Sequence, residues 1–234
     1  MVQRSLRFRT SSVLSIFTGW ALALVLGIRH ASEPDHVVAV STLVTDETTA
    51  ARAAFQGAVW GLGHSISLFT VGSLLLMFRL RLSEGVAELF ELTVAVMLLG
   101  LGLRSLMRAF SARREAAHVH PEHSTHAHEH KSPLQLARRP LAIGLVHGLA
   151  GSGALTALVL ANMPSIVAGL VYMLCFGAGS IVGMALLTGA AGTPLRWLSK
   201  RRSLQAALGA TAGAMSFGLG LSVAWPILSK LVSA

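Results

Sequence analysis

Cysteine is almost absent from this chain: Cys175 is the only one, and it sits inside an apolar run. A disulfide or a thiol relay needs a second thiol, so both are excluded. Cys175 reads as a small buried apolar residue. Without a pair of thiolates, soft-ion chemistry of the Cu(I) or cadmium kind lacks its ligands. Charge is scarce too, at 12% of residues, against roughly 25% in a soluble domain. No G-x(4)-G-K-[ST] loop occurs, which leaves no nucleotide-driven motor of that type in the chain.

Apolar residues are abundant: 53% of the sequence, with mean hydropathy +0.64. Long apolar runs cover about 12–44, 53–78, 85–108, 139–162, 164–190 and 205–229. Runs of that length read as transmembrane helices rather than barrel strands. The expected class is therefore all-α, a polytopic membrane protein with about six spans. The formal charge of +9 does not point to nucleic acid, because the arginines cluster at run ends and in connecting loops. There the positive-inside rule places them. The start, Met1 to Thr10 with three arginines before an apolar stretch, has the look of a signal peptide. Cleavage at the end of that stretch would cut beside the histidine cluster described next, so a retained helix is expected.

His30-Ala31-Ser32-Glu33-Pro34-Asp35-His36 interrupts the first run. Each ionisable group at membrane depth costs roughly 2.5–3.5 kcal/mol, so such a cluster is by default an ion or proton site. The run is also too long for one straight crossing of about 20 residues. Pro34 removes a helix hydrogen bond and pushes Glu33 out of the α region. A broken helix is expected, with the cluster at the break. On an unbroken helix His30 and His36 would point about 120° apart; unwinding lets them converge. Two imidazoles and Asp35 make a nitrogen/oxygen shell suited to a first-row divalent cation. Asp35 would lower the charge of the occupied site or orient an imidazole. His64 and His147, both at membrane depth, are further candidate ligands. Glu33 either binds metal or caps the helix half that begins at Pro34.

The chain also repeats itself. Gly27-Ile28-Arg29-His30-Ala31 is echoed by Gly144-Leu145-Val146-His147-Gly148, at an offset of 117. Trp60-Gly61-Leu62-Gly63-His64 is echoed by Phe176-Gly177-Ala178-Gly179-Ser180 at 116, and Leu99-Gly100-Leu101-Gly102-Leu103 by Phe217-Gly218-Leu219-Gly220-Leu221 at 118. Three spans per unit force the second copy into the membrane upside down. Inverted repeats with interrupted helices at matching positions characterise transporters. The expected organisation is a first three-helix repeat at 1–110, a histidine-rich segment at 111–138 and a second repeat at 139–234. The fourth helix should break after His147, at Gly148-Leu149-Ala150-Gly151-Ser152-Gly153. The middle segment carries His118, His120, His123, His126, His128 and His130, the composition of a metal-binding tract. A basic connector at 193–203 reads as an interfacial loop. Ten Arg/Lys flank the loops on the side of the histidine-rich segment and six flank the others. That segment is therefore expected in the cytoplasm.

These residues resemble the nickel/cobalt transporter family, whose signature H-x(4)-D-H stands here as His30 to Asp35-His36. Trp60-Gly61-Leu62-Gly63-His64-Ser65 and Gly144-Leu145-Val146-His147-Gly148-Leu149-Ala150-Gly151-Ser152 resemble the urease-accessory, UreH-type branch. The likeness runs from about Gly19 to Leu221. It implies high-affinity movement of Ni²⁺ or Co²⁺ across a cytoplasmic (inner) membrane, with His30, Asp35 and His36 essential. It implies no cofactor, the lipid bilayer and the metal ion as partners, and service to urease or other nickel-enzyme maturation proteins. Two features depart from the pattern. The first helix of the eight-span members has no counterpart, and the histidine-rich segment is like that of the nickel/cobalt efflux branch. Efflux therefore stays open beside uptake. Two other classes are a metal-binding accessory protein and an intramembrane metalloenzyme with Glu33 as base. The enzyme reading is weakened because neither H-E-x-x-H nor H-x-x-E-H occurs in the His30 to His36 passage.

Overall fold

Backbone geometry follows from where proline and capping residues fall in the apolar runs. The structure is a computed structural model that describes residues 17–44, 49–80, 82–117, 133–163, 165–198 and 202–233. These residues form seven helices and no strand: α1 (17–30), α2 (Pro34–Val44), α3 (Ala50–Met77), α4 (Glu84–Ala117), α5 (Pro133–Asn162), α6 (Ile166–Leu198) and α7 (Arg202–Ser233).

The first run is broken where Pro34 demands it. Ser32 N–H and Glu33 N–H turn back to the carbonyls of Arg29 and His30, at 2.9 and 3.0 Å, closing α1 with a tightened turn. Pro34 then opens α2 in the first helical position, where its missing N–H costs nothing. Thr49 caps α3: its backbone is extended (φ −137°, ψ 143°) and its hydroxyl accepts from the Arg52 N–H. At the far end Arg79 takes φ 51°, and Leu80 N–H reaches back to the Leu75 carbonyl at 2.9 Å. That is the left-handed exit more often given to glycine.

Among the described residues, four helical segments are long and apolar enough to cross a bilayer: Ala50–Met77, Glu84–Ser111, Ile166–Gly192 and Ala206–Ser233. Large apolar side chains stay exposed along them, among them Val96, Leu103, Leu186 and Trp225, as expected of faces solvated by lipid. The chain is a multi-pass helical membrane protein.

Two expectations need correction. α5 is one continuous helix from Pro133 to Asn162, with no break after His147. Glycine costs a helix only about 1 kcal/mol, and the Gly148–Gly153 stretch holds no proline to delete a hydrogen bond. The 193–203 connector is likewise mostly helix, since α6 runs to Leu198 and α7 starts at Arg202.

Small residues let backbones touch, as in membrane packing generally. α3 packs on α5 and α6, and α4 on α7. A Cβ at Gly144 of α5 would strike the Trp60 carbonyl of α3 and come within 2.9 Å of the His64 nitrogen. One at Gly27 of α1 would strike the Phe176 carbonyl of α6 and come within 2.8 Å of the Ser180 nitrogen. Gly102 of α4 approaches Gly213 O and Phe217 N of α7, while Gly220 of α7 approaches Ala95 O and Leu99 N of α4. Hydroxyls reinforce these seams: Ser67 donates to Leu145 O at 2.6 Å, Ser65 to Gly177 O at 3.0 Å and Ser216 to Leu98 O at 2.8 Å. The buried core between them contains Ala39, Val40, Trp60, Leu98 and Met184.

Candidate functional site

The break between α1 and α2 delivers its polar groups to the seam between α3 and α5. His30 is the last residue of α1, while Asp35 and His36 open α2. His64 lies near the middle of α3, and His147 lies beside Gly144 and Gly148, the two glycines that let α5 sit against the α3 backbone. His36, His64 and His147 are 1%, 1% and 2% exposed, so three imidazoles are withdrawn from both lipid and water. His30 and Asp35 are half-buried, and Glu33 is exposed.

The hydrogen bonds form two short chains. The Glu33 carboxylate lies 3.0 Å from His30 Nδ1, and His30 Nε2 lies 3.1 Å from His64 Nε2. The Asp35 carboxylate takes His36 Nδ1 at 3.0 Å on one oxygen and His147 Nε2 at 2.8 Å on the other. A carboxylate only accepts. With the rings neutral, His36 therefore donates from Nδ1, His147 from Nε2 and His30 from Nδ1, leaving His64 to donate from Nε2. The remaining nitrogens, His36 Nε2, His64 Nδ1 and His147 Nδ1, are buried without a hydrogen-bond partner. Each then carries a lone pair aimed at nothing. Buried polar atoms are normally satisfied, so three orphaned donors in one cluster suit a Lewis acid.

Donor atoms converge accordingly. One atom from each of His30, His36 and His64 lies within 4.8 Å of the other two, and the same holds for Asp35, His36 and His147. Aromatic rings wall the cluster. His36 stacks on His147 at 4.3 Å between centroids, Trp60 leans on both at 5.5 and 5.7 Å, and Phe176 lies 5.2 Å from His30.

The structure thus brings together all five residues singled out from sequence, His30, Asp35, His36, His64 and His147, with Glu33 attached through His30. The histidines from His118 to His130 lie outside the described residues. So does the pattern H-x-x-E-H at His126 to His130. Trp60 and Phe176 escaped the sequence reading as site residues. Their signal was present, because the two aromatics hold equivalent places in the repeat, directly ahead of a G-x-G.

A multi-pass helical membrane protein that gathers four histidines and a carboxylate among its helices has the donor groups to hold a cation there. Comparison with known proteins gives the family. The model of the high-affinity nickel-transport proteins, NicO, matches residues 16–201, and the chain belongs to that family. It is accordingly a transporter of nickel/cobalt ions and not an enzyme. It is 34% identical over 193 residues to the urease accessory protein UreH of Bacillus sp. (strain TB-90), covering 81% of each chain. It is 29% identical over 182 residues to the chloroplast protein FOR GROWTH AND FERTILITY 2 of Arabidopsis thaliana, covering 77% of this chain and 47% of that one. FOR GROWTH AND FERTILITY 1 of the same plant is 25% identical over 225 residues, 92% of this chain and 61% of its own length. No solved structure matches the chain.

Proposed function

We propose that the chain takes up Ni²⁺ or Co²⁺ with high affinity into the cytoplasm across the inner membrane, through a site made by His30, Asp35, His36, His64 and His147. The observation that carries this reading is the burial of three imidazoles with unpartnered nitrogens beside a carboxylate. Imidazole with carboxylate suits first-row divalent ions, and the absence of thiolate turns the site away from soft ones. Glu33, exposed and bonded to His30, serves as the approach to the cluster. The loop histidines His118, His120, His123, His126, His128 and His130 act as a capture tract on the cytoplasmic face. The urease accessory name of the Bacillus relative favours uptake, with delivery to urease or other nickel-enzyme maturation proteins.

The transport unit in this reading is a three-plus-three inverted repeat of six spans: α1 with α2, α3 and α4 against α5, α6 and α7, joined by the 111–138 segment. The exchange of contacts supports it. Gly27 meets Phe176 O and Ser180 N, as Gly144 meets Trp60 O and His64 N; each residue of the first set is matched in the second by the repeat offset. Gly102 and Gly220 trade partners between α4 and α7 in the same way. Such a pseudo-two-fold arrangement puts the substrate near the midplane, where the cluster would lie. Cells expressing the chain should accumulate radioactive nickel and cobalt in excess of control cells. Faster loss of preloaded metal, without accumulation, would reverse the direction.

A further inference from the structure

The cluster holds more donors than one ion can use at once, and they are not pooled. They fall into two trios, His30/His36/His64 and Asp35/His36/His147, each with one donor atom per residue gathered within 4.8 Å, and His36 belongs to both. Protons are shared at short range within both trios: His30 with His64 at 3.1 Å in the first, and Asp35 with His36 at 3.0 Å and with His147 at 2.8 Å in the second. A shared proton between two ligands occupies the place that a bound cation takes, and ligands must lose such protons to bind metal. The two nitrogens of His36 stand in different settings. Its Nδ1 is turned to Asp35, and its Nε2 is buried without a partner.

Resting on the proposed transport function, we infer that the ion occupies two overlapping positions in turn, handed from one to the other by His36. One position is all-nitrogen, from His30, His36 and His64, and Glu33 leads to it through the other nitrogen of His30. The second is mixed, from Asp35, His36 and His147. Two dications a few ångströms apart repel strongly, and a neutral imidazole binds through one nitrogen at a time while the other carries the proton. Occupancy is therefore alternate. Moving between the two positions exchanges two imidazoles for one imidazole and one carboxylate. That makes the second position the more oxygen-rich and the first the more selective for imidazole-loving ions. Trp60 is packed against His36 and His147, and Phe176 against His30, so each position has its own aromatic wall.

The test counts imidazoles on bound nickel by X-ray absorption, using the full-length purified protein and its variants. Asp35→Asn should leave the ion in the first position with three imidazoles, and His64→Ala should leave it in the second with two. Both should bind nickel while losing transport. His36→Ala should abolish saturable binding, because no trio survives; His36→Gln, which keeps the side-chain bulk, stands in if the alanine variant fails to insert. A single pooled site predicts otherwise: four imidazoles in Asp35→Asn, three in His64→Ala, and binding retained in His36→Ala. That pattern overturns the two positions and leaves the transport function standing. Absence of saturable nickel binding by the parent protein would instead refute the proposed site itself.

Discussion

Adding one methyl group at Gly144 should damage this protein more than the same change at an open glycine such as Gly100, and the structure supplies that control. In Gly144→Ala the new Cβ would overlap the Trp60 carbonyl and sit 2.9 Å from the His64 nitrogen, where ordinary contact begins at 3.4 Å. Neither atom belongs to a flexible side chain, so α3 and α5 must separate. Overpacking of this kind costs about 1–3 kcal/mol. At roughly 2–4 °C per kcal/mol for a chain of this size, the melting temperature should fall by about 2–12 °C. Gly100 and Gly218 have nothing within 4 Å of the added Cβ. There alanine only improves helix propensity, by up to about 1 kcal/mol, and the melting temperature should hold or rise. Gly27→Ala should behave like Gly144→Ala, since its Cβ meets the Phe176 carbonyl and the Ser180 nitrogen at 2.8 Å. The site should feel both changes, because His30 and His147 each lie three residues beyond the glycine. The assay is thermal unfolding in detergent micelles, paired with a nickel titration. Equal shifts for Gly144→Ala and Gly100→Ala would refute the close-packed seam.

Three further outcomes are expected. Asp35→Asn should abolish nickel and cobalt transport at normal membrane insertion, because it removes the carboxylate that His36 and His147 both approach; transport assays on matched membrane amounts check it. Deleting 118–130 should weaken uptake at limiting metal and leave it nearly unchanged at saturating metal, since six clustered imidazoles raise the local metal concentration; complete loss at saturation would place the tract in the translocation path. In a Cys175→Ser background, single cysteines at Ser124 and Ser199 should resist impermeant thiol reagents in intact cells while one at Ser83 labels. Opposite behaviour of Ser124 and Ser199 would break the three-plus-three arrangement.

The candidate cluster was legible because ionisable residues stand out in apolar runs. His30, Asp35, His36, His64 and His147 announced themselves by the energy needed to bury them, and the structure gathers all five. The α1–α2 break was legible for a similar reason: Pro34 has no N–H to give. The break expected in α5 failed because it rested on glycine alone. Glycine permits a kink without requiring one, and at Gly148 it serves instead to bring α5 onto the His64 backbone. Helix ends were misjudged where hydropathy fades. α4 continues to Ala117 and α6 to Leu198, since leaving the bilayer does not end a helix that has good helix formers. The aromatic wall was hidden by its ordinariness. A tryptophan in an apolar run reads as core, and only the tertiary arrangement reveals that Trp60 covers two histidines.

The most direct test of the account is metal entry into sealed liposomes that contain the purified protein and a trapped nickel-quenched dye. The account predicts saturable quenching with the parent chain and none with Asp35→Asn reconstituted to the same density. No entry with correctly inserted parent protein, or undiminished entry with Asp35→Asn, would contradict it.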